Sequence, residues 1–324
     1  MTIKGAAFFV IGLLAGVQAA PTLAQGTFPQ RDVTFIVPWN AGGSNDVAAR
    51  ALEPLLREQG IKIVIENVVG ATGVIGMKRV ANAPPDGYTL GMGTSSTLAM
   101  IAQNKAQQLN NGQFTNIARV STDPLMLLVS FKSQPKSLED FLAAMKANPG
   151  KTTIGTPGNY NLNHIFASMT ARSAGVEYVN VPYTGGSKVV ADLLGQHVEA
   201  GVLKPSETLG QVQEGLLKPL GVFADERLEM FPDVPTFKEK GYNVFPYGPV
   251  VQMAYVVAPA NLSADVRTKL ITAFRNAIQD PRFKDFAKKN ALLIDDMTGD
   301  DLTKEIDDVA KAIGTVAAQT FPKE

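Results

Sequence analysis

No cysteine occurs among the 324 residues. That removes disulfides, thiolate metal sites, cysteine nucleophiles and a lipid-modified N-terminal cysteine. Histidine occurs twice and tryptophan once, which leaves little imidazole for acid–base or metal chemistry. Neither sign of charge is in excess: 30 basic residues face 30 acidic ones. A nucleic-acid binder would show a basic surplus or stripe, and there is none. Beyond the first two dozen residues no apolar run approaches the roughly 20 residues of a membrane span. What is present is 45% hydrophobic and 19% charged, the composition of a folded soluble chain. At about 150 residues per domain, the length predicts two domains.

The opening segment reads as an address. Lys4 precedes an unbroken apolar run, Gly5 to Val17, followed by small residues up to Ala24. This is too short for a comfortable membrane span and has the layout of a cleaved secretory signal, residues 1–24. Cleavage is expected after Ala24, with Ala19 and Ala20 as alternatives, and leaves 29 cations against 30 anions. Export without disulfides points to a bacterial periplasm.

Beyond that segment, strand patterns alternate with helical ones. Val33–Val37, Ile61–Glu66 and Tyr88–Met92 are read as strands, with helices over Asp46–Gln59 and Val74–Asn82. Pro54 is expected to kink or shorten the first helix. A second series starts at Leu125–Phe131, with a helix at Ser137–Ala147 and short strands at Thr152–Gly155, Val176–Val181 and Leu217–Val222. Ala254–Ala258 is a further strand, and helices follow at Ser263–Gln279, Pro281–Asn290 and Asp300–Ala318. The alternation predicts mostly parallel α/β sheets. The expected organisation is two lobes, 25–124 plus 254–324 and 125–253, with the strands near 125–131 and 254–258 crossing between them.

Five loops at strand ends are rich in glycine and small polar residues. The first is Pro38-Trp39-Asn40-Ala41-Gly42-Gly43-Ser44-Asn45-Asp46. A helix N-terminus offers unpaired N–H groups and about half a positive charge, which suits a carboxylate or phosphate. It lacks the G-x-G-x-x-G spacing, and no P-loop pattern occurs, so nucleotide phosphate is disfavoured. The others are Gly70–Gly76, Gly93-Thr94-Ser95-Ser96-Thr97, Thr156–Asn161 and Pro182–Lys188. Each alone reads equally as an ordinary turn. Together, outside the carboxyl ends of strands in two lobes, they predict a cleft lined by hydrogen-bond donors.

Catalytic patterns are missing: there is no G-x-S-x-G, H-E-x-x-H or S-x-x-K. His164 and His197 read as surface or capping residues, and the paired acids near the C-terminus as solvated helix faces. No metal site and no cofactor are expected.

The spacing of several motifs resembles the Bug (TctC-like) receptors of tripartite tricarboxylate transporters. They are Pro38-x-x-Ala41-Gly42-Gly43-x-x-Asp46-x-x-x-Arg50, Glu66-Asn67-x-x-Gly70-Ala71-x-Gly73 and Ala83-x-Pro85-Asp86-Gly87-Tyr88-Thr89-Leu90. Asn148–Lys151, Gly155–Gly158, Val181-Pro182-Tyr183-x-Gly185-Gly186, Asp192–Gly195 and Leu262 to Pro281 extend the likeness over nearly the whole mature chain.

The resemblance implies a two-lobe, periplasmic-binding-protein-like (type II) fold with a central cleft and two crossover strands, closing on a small carboxylate. It also implies a membrane permease as partner and no enzymatic activity; a monomer is expected. Trp39, Asn40, Ala41, Gly42, Gly43, Ser44 and Asn45 with Thr94 and Ser95 would hold one carboxylate, partly through water. Gly158, Asn159, Thr184, Gly185 and Ser187 would close over it, and Asp46 would organise the helix start. Where many relatives carry an acid after the following strand, this chain has Glu199-Ala200-Gly201-Val202-Leu203-Lys204. Lys204 is expected either to neutralise a second carboxylate, favouring a di- or tricarboxylate, or to face solvent. The rival readings are a ligand-presenting sensor subunit and a periplasmic Ser/His hydrolase.

Overall fold

The computed structural model of the chain describes residues 1–2, 28–245, 250 and 252–321. The expected leader therefore lies outside the described residues, apart from Met1 and Thr2. No helix among the described residues is long and apolar enough to cross a membrane.

The first lobe opens with β1 (Val33–Val37), α1 (Ser44–Glu58), β2 (Ile63–Asn67) and α2 (Val74–Ala81). It continues with β3 (Thr89–Thr94), α3 (Ser95–Ala102) and β4 (Phe114–Thr122). The second lobe comprises β5 (Met126–Ser130), α4 (Leu138–Ala147), β6 (Thr153–Thr156), α5 (Leu162–Ala174) and β7 (Val179–Pro182). Then come α6 (Gly186–Leu194), β8 (Ala200–Leu203), α7 (Pro205–Gln213) and β9 (Leu217–Val222). The chain returns to the first sheet through β10 (Met253–Pro259) and ends with α8 (Ala264–Gln279), α9 (Pro281–Lys289) and α10 (Gly299–Thr320).

Two five-stranded sheets result, ordered β2-β1-β3-β10-β4 and β7-β6-β8-β5-β9. β1 is apolar at four of its five positions, and those side chains are fully buried, as expected of a parallel strand covered on both faces. The sheets are less parallel than the sequence pattern predicts. β10 runs antiparallel to β3 and β4, and β5 antiparallel to β8 and β9. Each is the first strand after the chain crosses between lobes, so it enters its sheet from the opposite end. The crossings lie side by side: Asp123 N donates to Gln252 O at 2.7 Å.

Two local expectations change. α1 continues without interruption across Pro54; Arg50, whose carbonyl Pro54 cannot serve, stands on the exposed face of the helix. Gly93–Thr97 is not a loop. Gly93 and Thr94 end β3, and Ser95 begins α3. The hydroxyls replace loop solvent with internal partners: Thr94 Oγ1 accepts from Thr97 N, and Ser95 Oγ from Met253 N. Gly93 itself is dictated by β10, since a Cβ there would lie 2.5 Å from the Tyr255 ring.

α10 closes the architecture. Leu302, Ile306, Val309, Ile313, Val316 and Ala317 form its buried stripe at the spacing of one helical face. It packs on α3 of the first lobe and on α5 of the second. Near its end, Phe321 lies 4.5 Å from the His164 ring and 5.5 Å from the Tyr160 ring.

Candidate functional site

Five helices begin at one cavity between the lobes. Its wall takes Gly43, Ser44 and Asn45 from the start of α1, Thr94 and Ser96 from α3, and Asn163 from α5. Gly185, Gly186 and Ser187 come from α6, Lys204 and Glu207 from α7, and Trp39, Asn40, Pro157 and Gln252 complete it. The cavity is small, about 30 Å³, with room for a water or two as it stands.

The helix starts are not equivalent. Thr94 caps α3, Asn161 caps α5, and Glu207 Oε2 accepts from Lys204 N at the start of α7. α1 and α6 instead begin after glycines, Gly43 and Gly185, and neither has a side-chain cap. Their first-turn N–H groups are thus left for water or a ligand, with the positive end of each helix behind them. One belongs to each lobe, and they meet across the cavity.

The β1–α1 loop is rigidly held. Asp46 accepts from Gly42 N at 2.9 Å, from Arg50 at 2.9 and 3.0 Å and from Asn67 Nδ2 at 3.0 Å. Asn67 Nδ2 also reaches Trp39 O at 3.0 Å. Burial alone would raise the Asp46 carboxyl, but the Arg50, Gly42 and Asn67 hydrogen bonds outweigh it and hold it below the ordinary range. Asp46 is occupied by the loop and lines neither this cavity nor the one adjoining it.

Lys204 is buried. Its Nζ lies 3.3 Å from Asp123 Oδ2 and 3.2 Å from Ser44 Oγ, reaching from the second lobe to the first. The pairing follows from β-register: Met126 is opposite Leu203, which sets Asp123 and Lys204 at adjoining ends of β5 and β8. Its charge is therefore met inside the protein. Burial pushes the Asp123 and Glu207 carboxyls up, against the pull of the Lys204 ammonium.

Among the residues expected from sequence, Trp39, Asn40, Gly43, Ser44, Asn45, Thr94, Gly185, Ser187 and Lys204 line this cavity. Gly42 lines an adjoining one of about 90 Å³ with Ser44, Ser187 and Glu207. Ala41 is exposed, and Ser95 is buried under β10. Three others form the seam between lobes rather than the cavity wall. Asn40 Nδ2 donates to Thr184 O and Oγ1 at 3.1 and 3.2 Å, and Thr72 Oγ1 donates to Asn159 O at 3.1 Å beside Gly158. Ser96 comes from the Gly93–Thr97 segment expected to line a cleft, whereas Asn163, Glu207 and Gln252 stand outside the five expected loops. Trp39 Nε1 and Gln252 Oε1 are buried without a hydrogen-bond partner.

The histidines lie apart from this chemistry. His164 is packed among Tyr160, Tyr178 and Phe321, and burial pulls its pKa down to about 4. Its Nδ1 accepts from Tyr160 N, and His197 is exposed beside Asp192. No cluster of three metal-ligating side chains occurs among the described residues.

A family model described as the tripartite tricarboxylate transporter family receptor matches residues 47–320. The chain belongs to this receptor family. Protein BugT of Bordetella pertussis is 33% identical over 247 residues, covering 74% of this chain and 75% of that protein. The solved periplasmic binding protein BugD is 26% identical, with a TM-score of 0.83 over 90% of this chain and 98% of BugD. MatC from Rhodopseudomonas palustris with bound malate is 25% identical, with a TM-score of 0.83 over 90% of this chain and all of that one. The receptor is a periplasmic solute-binding protein of two lobes, not an enzyme.

Proposed function

We propose that this receptor captures a small organic carboxylate between its lobes and presents the closed form to the membrane permease of a tripartite transporter. One observation carries the reading: two helices without side-chain caps, one from each lobe, point their N-termini at the same cavity. A carboxylate there satisfies both sets of orphan N–H groups at once, which makes closure depend on the anion. The hydroxyls of Ser44, Thr94, Ser96 and Ser187 and the unpartnered Trp39 N–H supply further donors. MatC, which is similar, holds a dicarboxylate. The chain reaches the periplasm after cleavage of residues 1–24 and acts as a monomer.

Trp39 is the only tryptophan and lines the cavity, so its fluorescence reports the site. Titrating the mature chain with a carboxylate panel is expected to give a saturable emission change and a rise in melting temperature, about 2.7 kcal/mol of added stability at 100-fold Kd. Silence with every acid, repeated after unfolding and refolding to strip the site, would refute the reading.

A further inference from the structure

Glu207 is the acidic group in the cavity wall that no cation neutralises directly. It stands at the third position of α7, and Oε2 accepts the Lys204 N–H at 3.2 Å. Among the described residues no hydrogen bond reaches Oε1, which lies against the start of α6. A Cβ on Gly186 would come within 2.5 Å of it, so glycine there is what admits the carboxyl to the cavity. The same side chain belongs to the walls of both adjoining cavities. The nearest ammonium, Lys204, is engaged with Asp123 at 3.3 Å. In the same cavity wall, Gln252 is 4% exposed and its Oε1 has no partner.

We infer that Glu207 is a specificity-determining residue: it selects carboxylates whose far end donates a hydrogen bond, a hydroxyl or an ammonium group, over those ending in a second carboxylate. This rests on the reading that a carboxylate occupies the cavity at the α1 and α6 termini. With one end of the ligand fixed there, the other end meets acceptors. A hydroxyl or ammonium satisfies Glu207, and an ammonium also meets its charge. A second carboxylate would put two like charges together away from water, and would bind only after Glu207 takes up a proton. The assignment reverses the expectation that Lys204 favours a di- or tricarboxylate, because Lys204 already has Asp123.

The test is isothermal titration of the mature wild type and Glu207→Gln with acids of two to six carbons ending in methyl, hydroxyl, ammonium or carboxylate. Glutamine keeps an oxygen to accept the Lys204 N–H, so α7 stays capped, and a melting curve checks the fold. Wild type is expected to favour the hydroxyl- or ammonium-ended acid about tenfold or more over the diacid of equal length. The variant is expected to cut that ratio at least threefold. In wild type, diacid binding should draw in protons, increasingly so as the pH is raised and Glu207 ionises, read from titrations in buffers of different ionisation enthalpy, so the idea stays testable if the variant does not fold. A wild-type preference for diacids without proton uptake, or a ratio changed less than threefold by the substitution, overturns the inference alone. Binding of no acid by either protein overturns the carboxylate reading and this inference with it.

Discussion

Replacing Lys204 with methionine isolates what the buried ion pair contributes. Lys204 and Asp123 have side chains only 5% and 0% exposed, with Nζ and Oδ2 3.3 Å apart. Lys204→Met fills similar volume but leaves Asp123 in a dry site with Ser121 Oγ as its remaining side-chain partner. Its Oδ1 has no partner even with the lysine present. Breaking one half of a buried pair costs about 3–5 kcal/mol. At roughly 2–4 °C per kcal/mol for chains of 150–250 residues, that is on the order of 10 °C in Tm. The double variant Lys204→Met, Asp123→Asn removes both charges and keeps a polar side chain for Ser121. It should regain all but about 1–2 kcal/mol, the residue reflecting the lost Ser44 and Asn45 hydrogen bonds. Calorimetry or urea denaturation of wild type, both single variants and the double completes the cycle. If Lys204→Met costs less than about 1 kcal/mol, or Asp123→Asn fails to rescue it, Lys204 is not held by Asp123 and the electrostatic account of the cavity falls.

Other outcomes follow from the same geometry. His164 is neutral when folded, with a pKa near 4 against about 6.5 unfolded. The unfolded chain therefore binds the proton first as pH falls: stability is full above pH 6.5 and declines toward pH 4 by at most about 3 kcal/mol. His164→Gln should flatten Tm against pH across that window, and an unchanged slope would place the acid sensitivity elsewhere. Asn40→Ala removes the donor that joins the lobes at Thr184. About 1 kcal/mol lost from the closed form predicts a roughly fivefold weaker Kd by titration, with Tm of the unliganded protein nearly unchanged. Gly93→Ala forces a methyl to within 2.5 Å of the Tyr255 ring and should cost about 1–3 kcal/mol in urea denaturation.

The first-lobe loop was legible because its glycines and hydroxyls sit directly after a strand and before a helix, a local arrangement that sequence spells out. Val33–Val37 was legible because a strand covered on both faces must be apolar throughout. Glu207 and Gln252 were not. An acid in a polar stretch reads as a solvated helix face, and only the docking of α6 on α7, across glycine 186, turns it inward. Gln252 sits in a crossing segment whose meaning depends on the neighbouring crossing at Asp123. The direction of β5 and β10 was hidden for the same reason: periodicity reports burial, not the end from which a strand enters its sheet. Lys204 could be placed at a strand end but not given a partner, since that partner is 81 positions away in a β-ladder.

In the proposed site the attraction for an anion comes from the main chain of two helices and not from a dedicated arginine or lysine. Such a device survives any single side-chain replacement except one by proline, because every other residue type carries the amide N–H. The side chains around it are thereby released from the task of holding negative charge. They can be exchanged to suit a longer, shorter, more polar or more apolar tail while the grip on the acid group persists. On the proposed arrangement such a receptor could acquire a new nutrient by a few point changes at the far end of the cleft, and Glu207 is where such a change would be felt first.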